Sequence, residues 1–177
     1  AYSKRILEAQ IKAYRSQYGC NYFSVIPCNL YGPHDKFDEN KSHFLAALIR
    51  KIYDAKKNKR RVIKLLGTGK PLRQYLYSED LAKILLLLLE KYDDEGPINI
   101  APKESLSIAQ IAKIALKATE SSDLELVFDE SFPDGQYRKD LCSDKLFNII
   151  GNFRFTSLSN GIKRTYEWFK EKEKKYE

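Results

Sequence analysis

Tyr22-Phe23-Ser24-Val25-Ile26-Pro27-Cys28-Asn29-Leu30-Tyr31-Gly32-Pro33-His34-Asp35 runs from an apolar, β-prone segment into a loop punctuated by glycine and proline. It continues as Lys36-Phe37-Asp38-Glu39-Asn40-Lys41-Ser42-His43. An amphipathic helical pattern follows, with Ser42 as candidate N-cap for Phe44-Leu45-Ala46-Ala47-Leu48-Ile49. Both histidines of the chain, and one of its three cysteines, fall between Pro27 and His43. A polar loop leaving a buried strand is where α/β proteins place ligand chemistry. The stretch therefore makes a claim about fold and function together.

Upstream, Ile6, Leu7, Ile11, Ala13, Tyr14 and Tyr18 recur at helical spacing and predict a helix from Ser3 to about Tyr18, closed by Gly19. Asn21 to Pro27 reads as a short strand. Downstream, a strand is predicted from Arg61 to Leu66, a turn at Gly67-Thr68-Gly69-Lys70-Pro71, and a second strand from Leu72 to Tyr77. Ser78 then caps a helix from Glu79 to about Tyr92, apolar enough to be almost wholly buried. Ile98 to Ile100 and Leu124 to Phe128 read as strands, and Ile108 to Leu116 as a helix. A polar loop spans Asp129 to Arg138, before a short helix near Ser143 to Ile150 and a long one from about Ser157. Helices alternating with strands across short turns make an α/β protein. Gly67-Thr68-Gly69 is a lone GxG between two strands, so it is no dinucleotide fingerprint.

A net charge of +7 and a pI near 9.2 raise the question of nucleic acid. The basic residues gather in Lys56-Lys57-Asn58-Lys59-Arg60-Arg61, without interleaved aromatics, and Lys170 to Lys175 alternate in sign as a solvated helix face does. An anionic small substrate such as a nucleotide sugar gains from the same field. A basic RNA- or partner-binding module stays open as the alternative of another class. The longest apolar run, Ile84 to Leu89, is too short to span a bilayer, so no membrane partner is expected. Cys20, Cys28 and Cys142 are odd in number and lack metal-ligand spacing, which fits no metal and a reduced, cytoplasmic setting. The chain holds no methionine and opens inside a helical pattern, so a fragment of a longer protein is expected.

Several motifs occur in a telling order. Lys4 lies on the first helix, followed by Pro27-Cys28-Asn29-Leu30-Tyr31-Gly32-Pro33-His34-Asp35 and Ser42-His43. Gly67-Thr68-Gly69-Lys70-Pro71-Leu72-Arg73-Gln74, Ser78-Glu79-Asp80-Leu81-Ala82 and Asp134-Gly135…Arg138-Lys139 come after. Together they resemble the C-terminal part of the extended short-chain dehydrogenases (the NAD-dependent epimerase/dehydratase family), and within them the GDP-L-fucose synthase family. The resemblance covers the whole chain but only about the second half of such an enzyme. It implies the end of a Rossmann-type sheet plus a small α/β substrate-binding domain. Residues 1–30 and 72–100 would be mainly cofactor-domain elements, and 31–71 and 101–177 mainly substrate-domain elements. The Gly-rich dinucleotide-binding half is not in this sequence.

The activity implied is NADPH-dependent 3,5-epimerisation and 4-reduction of GDP-4-keto-6-deoxy-D-mannose to GDP-L-fucose. Another nucleotide-sugar epimerase or dehydratase is the alternative. The family's Tyr-x-x-x-Lys pair maps onto Lys4, with its tyrosine falling one residue before Ala1; Tyr2 points elsewhere on the helix. In the family the lysine lowers the tyrosine pKa and holds the nicotinamide ribose. Lys4 alone would pass for a surface lysine. His43 matches the family's epimerising acid, whose partner cysteine also maps upstream of residue 1; alone it reads as a polar loop or helix-capping histidine. Pro27, Cys28, Asn29 and Leu30 match the wall along the cofactor's nicotinamide half, with Cys28 where threonine is common, and His34 shapes the loop.

Toward the substrate, Lys51 and Arg73 match cations facing the GDP moiety. Asp134 matches a nucleotide-sugar contact, Lys139 follows as a phosphate partner, and Leu66 stands where the family has tryptophan. Arg73 alone would be a solvated strand residue. The resemblance further implies NADP(H) as cofactor, a homodimer built partly on the Lys4 helix, no nucleic acid partner, and no turnover by these 177 residues alone.

Overall fold

Apolar residues three and four apart wind Tyr2–Tyr18 into α1, yet only Ile11 of this helix is buried. Arg15 ties it to Asp93 at 2.8 Å and Lys12 to Glu95 at 3.7 Å. Gly19 takes φ +65 and donates its N–H to the Arg15 carbonyl, closing the helix as its sequence predicts. The computed structural model describes residues 2–38 and 41–175. Ala1, Glu39 and Asn40 of the stretches quoted above, with Tyr176 and Glu177, lie outside the described residues.

The remaining elements are β1 (Val25–Pro27), β2 (Asn29–Tyr31), α2 (Phe44–Lys57), β3 (Val62–Leu66), β4 (Leu72–Arg73), β5 (Tyr75–Tyr77) and α3 (Ser78–Lys91). There follow β6 (Ile98–Ile100), β7 (Leu106–Ser107), α4 (Ile108–Ala118), β8 (Glu125–Asp129), β9 (Arg138–Lys139), α5 (Asp144–Ile150) and α6 (Leu158–Lys174). Three parallel pairs form, β1 with β6, β2 with β5 and β3 with β8. A further sheet runs in the order β7-β4-β9, with β4 antiparallel to β7 and parallel to β9. Parallel neighbours joined by helical crossovers are the α/β arrangement expected.

Two apolar cores organise these elements. One gathers Ile49, Ile52, Ile111, Ala115, Ile162 and Phe169 from α2, α4 and α6 around β3. The other gathers Leu76, Ile84, Leu88, Ile98, Ile100 and Leu146 from β5, α3, β6 and α5. Successive strand side chains point to opposite faces, so Leu76 enters the second core while its neighbour Tyr77 enters the first. The β2–β5 pair is thus the partition between the cores.

The structure corrects several expectations. Leu72 to Tyr77 is not one strand: Gln74 interrupts it. That side chain is buried and its amide bonds the Pro102 carbonyl (2.8 Å), the Leu141 carbonyl (3.2 Å) and the Leu141 N–H (2.7 Å). The chain therefore leaves the β4 sheet and enters the β5 pair at this residue. Ser42 does not cap α2; His43 is the N-cap, without a side-chain capping bond, and Ser42 Oγ accepts from Asp38 N–H instead. Ser78 is the first helical residue, not the cap, because its hydroxyl faces the backbone of Gly32, where a Cβ would stand 2.1 Å from Ser78 Oγ. α3 is not wholly buried, since Leu86 and Leu89 are 64% and 66% exposed. The strand at Asn21 to Pro27 shortens to β1, and part of the polar loop after Asp129 pairs as β9. Lys56, first of the basic run, donates to the Thr119 and Glu120 carbonyls (3.0 and 3.1 Å) and closes the end of α4.

Candidate active site

Parallel strands end where their helices begin, and backbone groups there are left facing space. Between α1 and the ends of β1 and β2 lies a cleft of about 970 Å³. It brings Lys4 together with Pro27, Cys28, Asn29, Leu30 and His43, and with Lys139 from β9. The wall is mostly backbone and apolar surface. Cys28 N–H is spent on the Ile100 carbonyl (3.0 Å) and Asn29 Nδ2 on the Gln74 carbonyl (2.9 Å), which fixes this segment against β6 and β5. Burial pushes the Cys28 thiol up to about 12, so it stays protonated and is no nucleophile at neutral pH.

A second cleft, about 270 Å³, opens on the other side of the same segment. Leu66 from the end of β3, Arg73 from β4 and Asp134 from the loop after β8 line it. Asn29 and His43 line both clefts. His43 is exposed at the N-cap of α2 with extended backbone (φ −66, ψ 156), and among the described residues its imidazole has no hydrogen-bond partner. It stands free at the junction.

Register sets the charge. β4 and β9 pair with Arg73 opposite Lys139, so a guanidinium and an ammonium are strand neighbours. Like charges held side by side favour an anion between them. Arg73 Nη1 donates to the Leu72 carbonyl at 2.7 Å, and among the described residues the guanidinium forms no salt bridge. Asp134 is differently employed. Its carboxylate accepts from Thr68 N–H at 2.9 Å and from Thr68 Oγ1 at 2.5 Å, and these bonds hold it below the usual carboxylate range. Gly67, at φ +83, makes room, since a Cβ there would lie 2.4 Å from Asp134 Oδ1. Asp134 thus pins the loop to the Gly67–Thr68 turn while lining the cleft.

Lys51 is not brought to this centre. It lines a separate cavity with Asp54, Arg60 and Lys64, and its Nζ donates to the Lys64 carbonyl at 2.8 Å. Ser78 and Tyr75 are among the lining residues that the sequence reading did not assign to the site. Ser78 borders the larger cleft. Tyr75, opposite Asn29 in the β2–β5 register, borders the smaller one; burial raises its phenol and nearby Arg73 pulls it the other way. Tyr75 meets Asn29 only through the pairing of two strands distant in sequence, which no local pattern signals.

Residues 1–101 match the NAD dependent epimerase/dehydratase family, and the chain belongs to it. Its relatives include the GDP-L-fucose synthase of Dictyostelium discoideum, 39% identical over 171 residues, 96% of this chain and 53% of that protein. That of Sinorhizobium fredii is 43% identical over 158 residues, 89% of this chain and 50% of the other. The crystal structure of a GDP-L-fucose synthetase from Naegleria fowleri bound to NADP superposes with a TM-score of 0.91 at 36% identity, covering 98% of this chain and 56% of that one. The chain spans about half the length of the curated relatives it matches.

Proposed function

We propose that this chain carries the nicotinamide-facing and substrate-facing walls of an NADP-dependent enzyme that epimerises and reduces GDP-4-keto-6-deoxy-D-mannose to GDP-L-fucose. One observation supports this above the others: Asn29 and His43 line both clefts, so a cofactor in the larger and a sugar in the smaller would meet at one imidazole. The two cores fit a cofactor-side and a substrate-side unit, divided along the β2–β5 partition.

The larger cleft fits the nicotinamide half of NADP(H). It offers a lysine, backbone edges at Pro27 to Leu30 and apolar surface from Leu7 and Ile26. Lys4, Pro27, Cys28, Asn29 and Leu30 would hold that group, which supplies hydride when bound. Lys4 contributes a fixed positive charge near the ribose. His43 holds the proton returned to carbon beside the ketone, a task suited to a group whose ordinary pKa lies near neutrality. Its lack of a competing hydrogen bond leaves it available. Arg73 and Lys139 would neutralise the diphosphate, and Leu66 presents an apolar edge at the cleft mouth. Lys51 would serve only if ligand drew it away from the Lys64 carbonyl.

The positive field then serves an anionic nucleotide sugar and not a nucleic acid; one member of the basic run is already spent in capping α4. α1 exposes Tyr2, Ile6, Leu7, Tyr14 and Tyr18, which fits a homodimer built on that helix. Among the described residues no helix is long and apolar enough to cross a membrane, and a cytoplasmic setting belongs to the same proposal.

Thermal unfolding with GDP tests the reading. GDP raises the midpoint of the parent chain, and Arg73→Ala weakens binding about 10- to 100-fold, as loss of a charged hydrogen-bond donor does. Salt-sensitive RNA retention without GDP protection would instead select the nucleic-acid alternative.

A further inference from the structure

His43 reaches the junction of the clefts with nothing holding its side chain, so its place is set by the backbone that delivers it. That backbone is fastened at both ends to one helix. Before His43, Tyr31 runs its ring against the first turn of α6, where a Cβ on Gly161 would lie 2.1 Å from the Tyr31 hydroxyl. Gly32 passes against Ser78. His34 then adopts φ 67, a left-handed conformation that turns the chain and that histidine takes more readily than most residues. Its ring lies against the indole of Trp168, ring centres 4.6 Å apart. Phe37 follows, 5.9 Å from Trp168 and 4.6 Å from Phe169. After His43, α2 returns to α6 through Tyr53 on Phe169 (5.3 Å) and Arg50 on Glu173 (3.3 Å).

We propose that Trp168 is a positioning residue for His43, fixing through the rings of His34 and Phe37 the backbone at Asp38, whose carbonyl accepts from Ser42 N–H (3.2 Å) next to His43. This rests on the placement of His43 in the site proposed above. Trp168 touches neither cleft; it acts through the two rings it holds. It is the single tryptophan of the chain, half-buried, with the Lys172 ammonium 5.4 Å from its ring on the same helix. Aromatic pairs at these separations prefer a defined mutual orientation, so they fix angle as well as distance.

The chain has only two histidines, so imidazole NMR resolves both without ambiguity. In ligand-free Trp168→Ala the His34 resonances lose their ring-current shift, and the His43 resonances move or broaden as well. Trp168→Phe, which keeps a ring, returns His43 to its parent position. If His43 stays at its parent shift and width in Trp168→Ala while His34 alone moves, the proposal is overturned. Should Trp168→Ala fail to fold, Trp168→Leu, which keeps apolar volume without a ring, carries the same measurement with the same two outcomes. Adding GDP to the parent tests the underlying reading separately. A His43 resonance indifferent to GDP removes that residue from the substrate site, whereas the ligand-free spectra of the variants still decide whether Trp168 places it.

Discussion

The two clefts meet at His43 but are made in opposite ways. The larger one takes most of its wall from one continuous run, Ser24 to Asp35, facing α1. The smaller one is assembled from β3, β4, the Gly69–Pro71 turn and the loop at Pro133 to Gly135, pieces distant in sequence. In the first, backbone groups and apolar side chains form the surface, and the cysteine at its centre stays protonated. In the second, Arg73 and Asp134 put charge on the surface, and Asp134 is held by Thr68, 66 residues away. A surface whose charge rests on long-range bonds is more easily disturbed than one made by a continuous run, so the smaller cleft is the more fragile.

Gln74→Leu breaks that contrast hardest. It leaves the Pro102 carbonyl and both Leu141 backbone groups without their buried partner, which costs about 2–4 kcal/mol. The segment bearing Lys139 loosens, so calorimetry reads a lower unfolding midpoint together with weakened GDP binding. The Ser24 to Asp35 wall of the larger cleft, held by the β1–β6 and β2–β5 pairs, keeps its shape, and only its Lys139 edge shifts.

Gly67→Ala acts on a single loop. A Cβ 2.4 Å from Asp134 Oδ1, at φ +83, costs about 1–3 kcal/mol in strain or displaces Asp134. Thermal unfolding reads the strain, and titration with GDP reads the displacement.

Thr68→Val is the mildest change and sharpens the comparison through pH. Thr68 holds the Asp134 carboxyl below its unfolded value. A depressed pKa contributes stability above the unfolded carboxylate range, lost as pH falls through the folded value. In the parent the acid limb of the stability curve carries this loss; in Thr68→Val the hydroxyl's share of it goes while the backbone N–H of residue 68 still donates to Asp134, so the limb is shallower and the two curves draw together at low pH. Parallel curves throughout would show that Asp134 is not the group concerned.

How far the sequence could be read follows from the same contrast. Pro27 to Leu30, Lys4 and His43 were singled out by the order of the family's motifs, and they line one cleft; local spacing alone placed the elements that carry them and left Lys4 a surface lysine. The role of Asp134 was not legible, because its partner Thr68 lies 66 residues away and no periodicity connects them. The break at Gln74 was hidden too: alternation predicts one strand, and a buried amide with partners at Pro102 and Leu141 overrides it. Leu86 and Leu89 show another limit, since a run of leucines states that a helix is apolar without stating what lies against each face. Ser42 and Ser78 failed as caps for a related reason, each hydroxyl having found a loop neighbour first.

α1 is fastened to the rest of the molecule by one buried isoleucine and a few polar links between its middle and its C-terminal end, among them Ser24 to Glu8, Arg15 to Asp93 and Lys12 to Glu95. Exposed ion pairs of this kind fade as dissolved salt shortens the reach of their charges. A helix so lightly moored opens well below the free energy of global unfolding and ranks among the first segments to exchange its amide hydrogens. Lys4 rides on its far end. The attitude of that lysine toward the cleft is thus governed by ionic strength as well as by the residues around it.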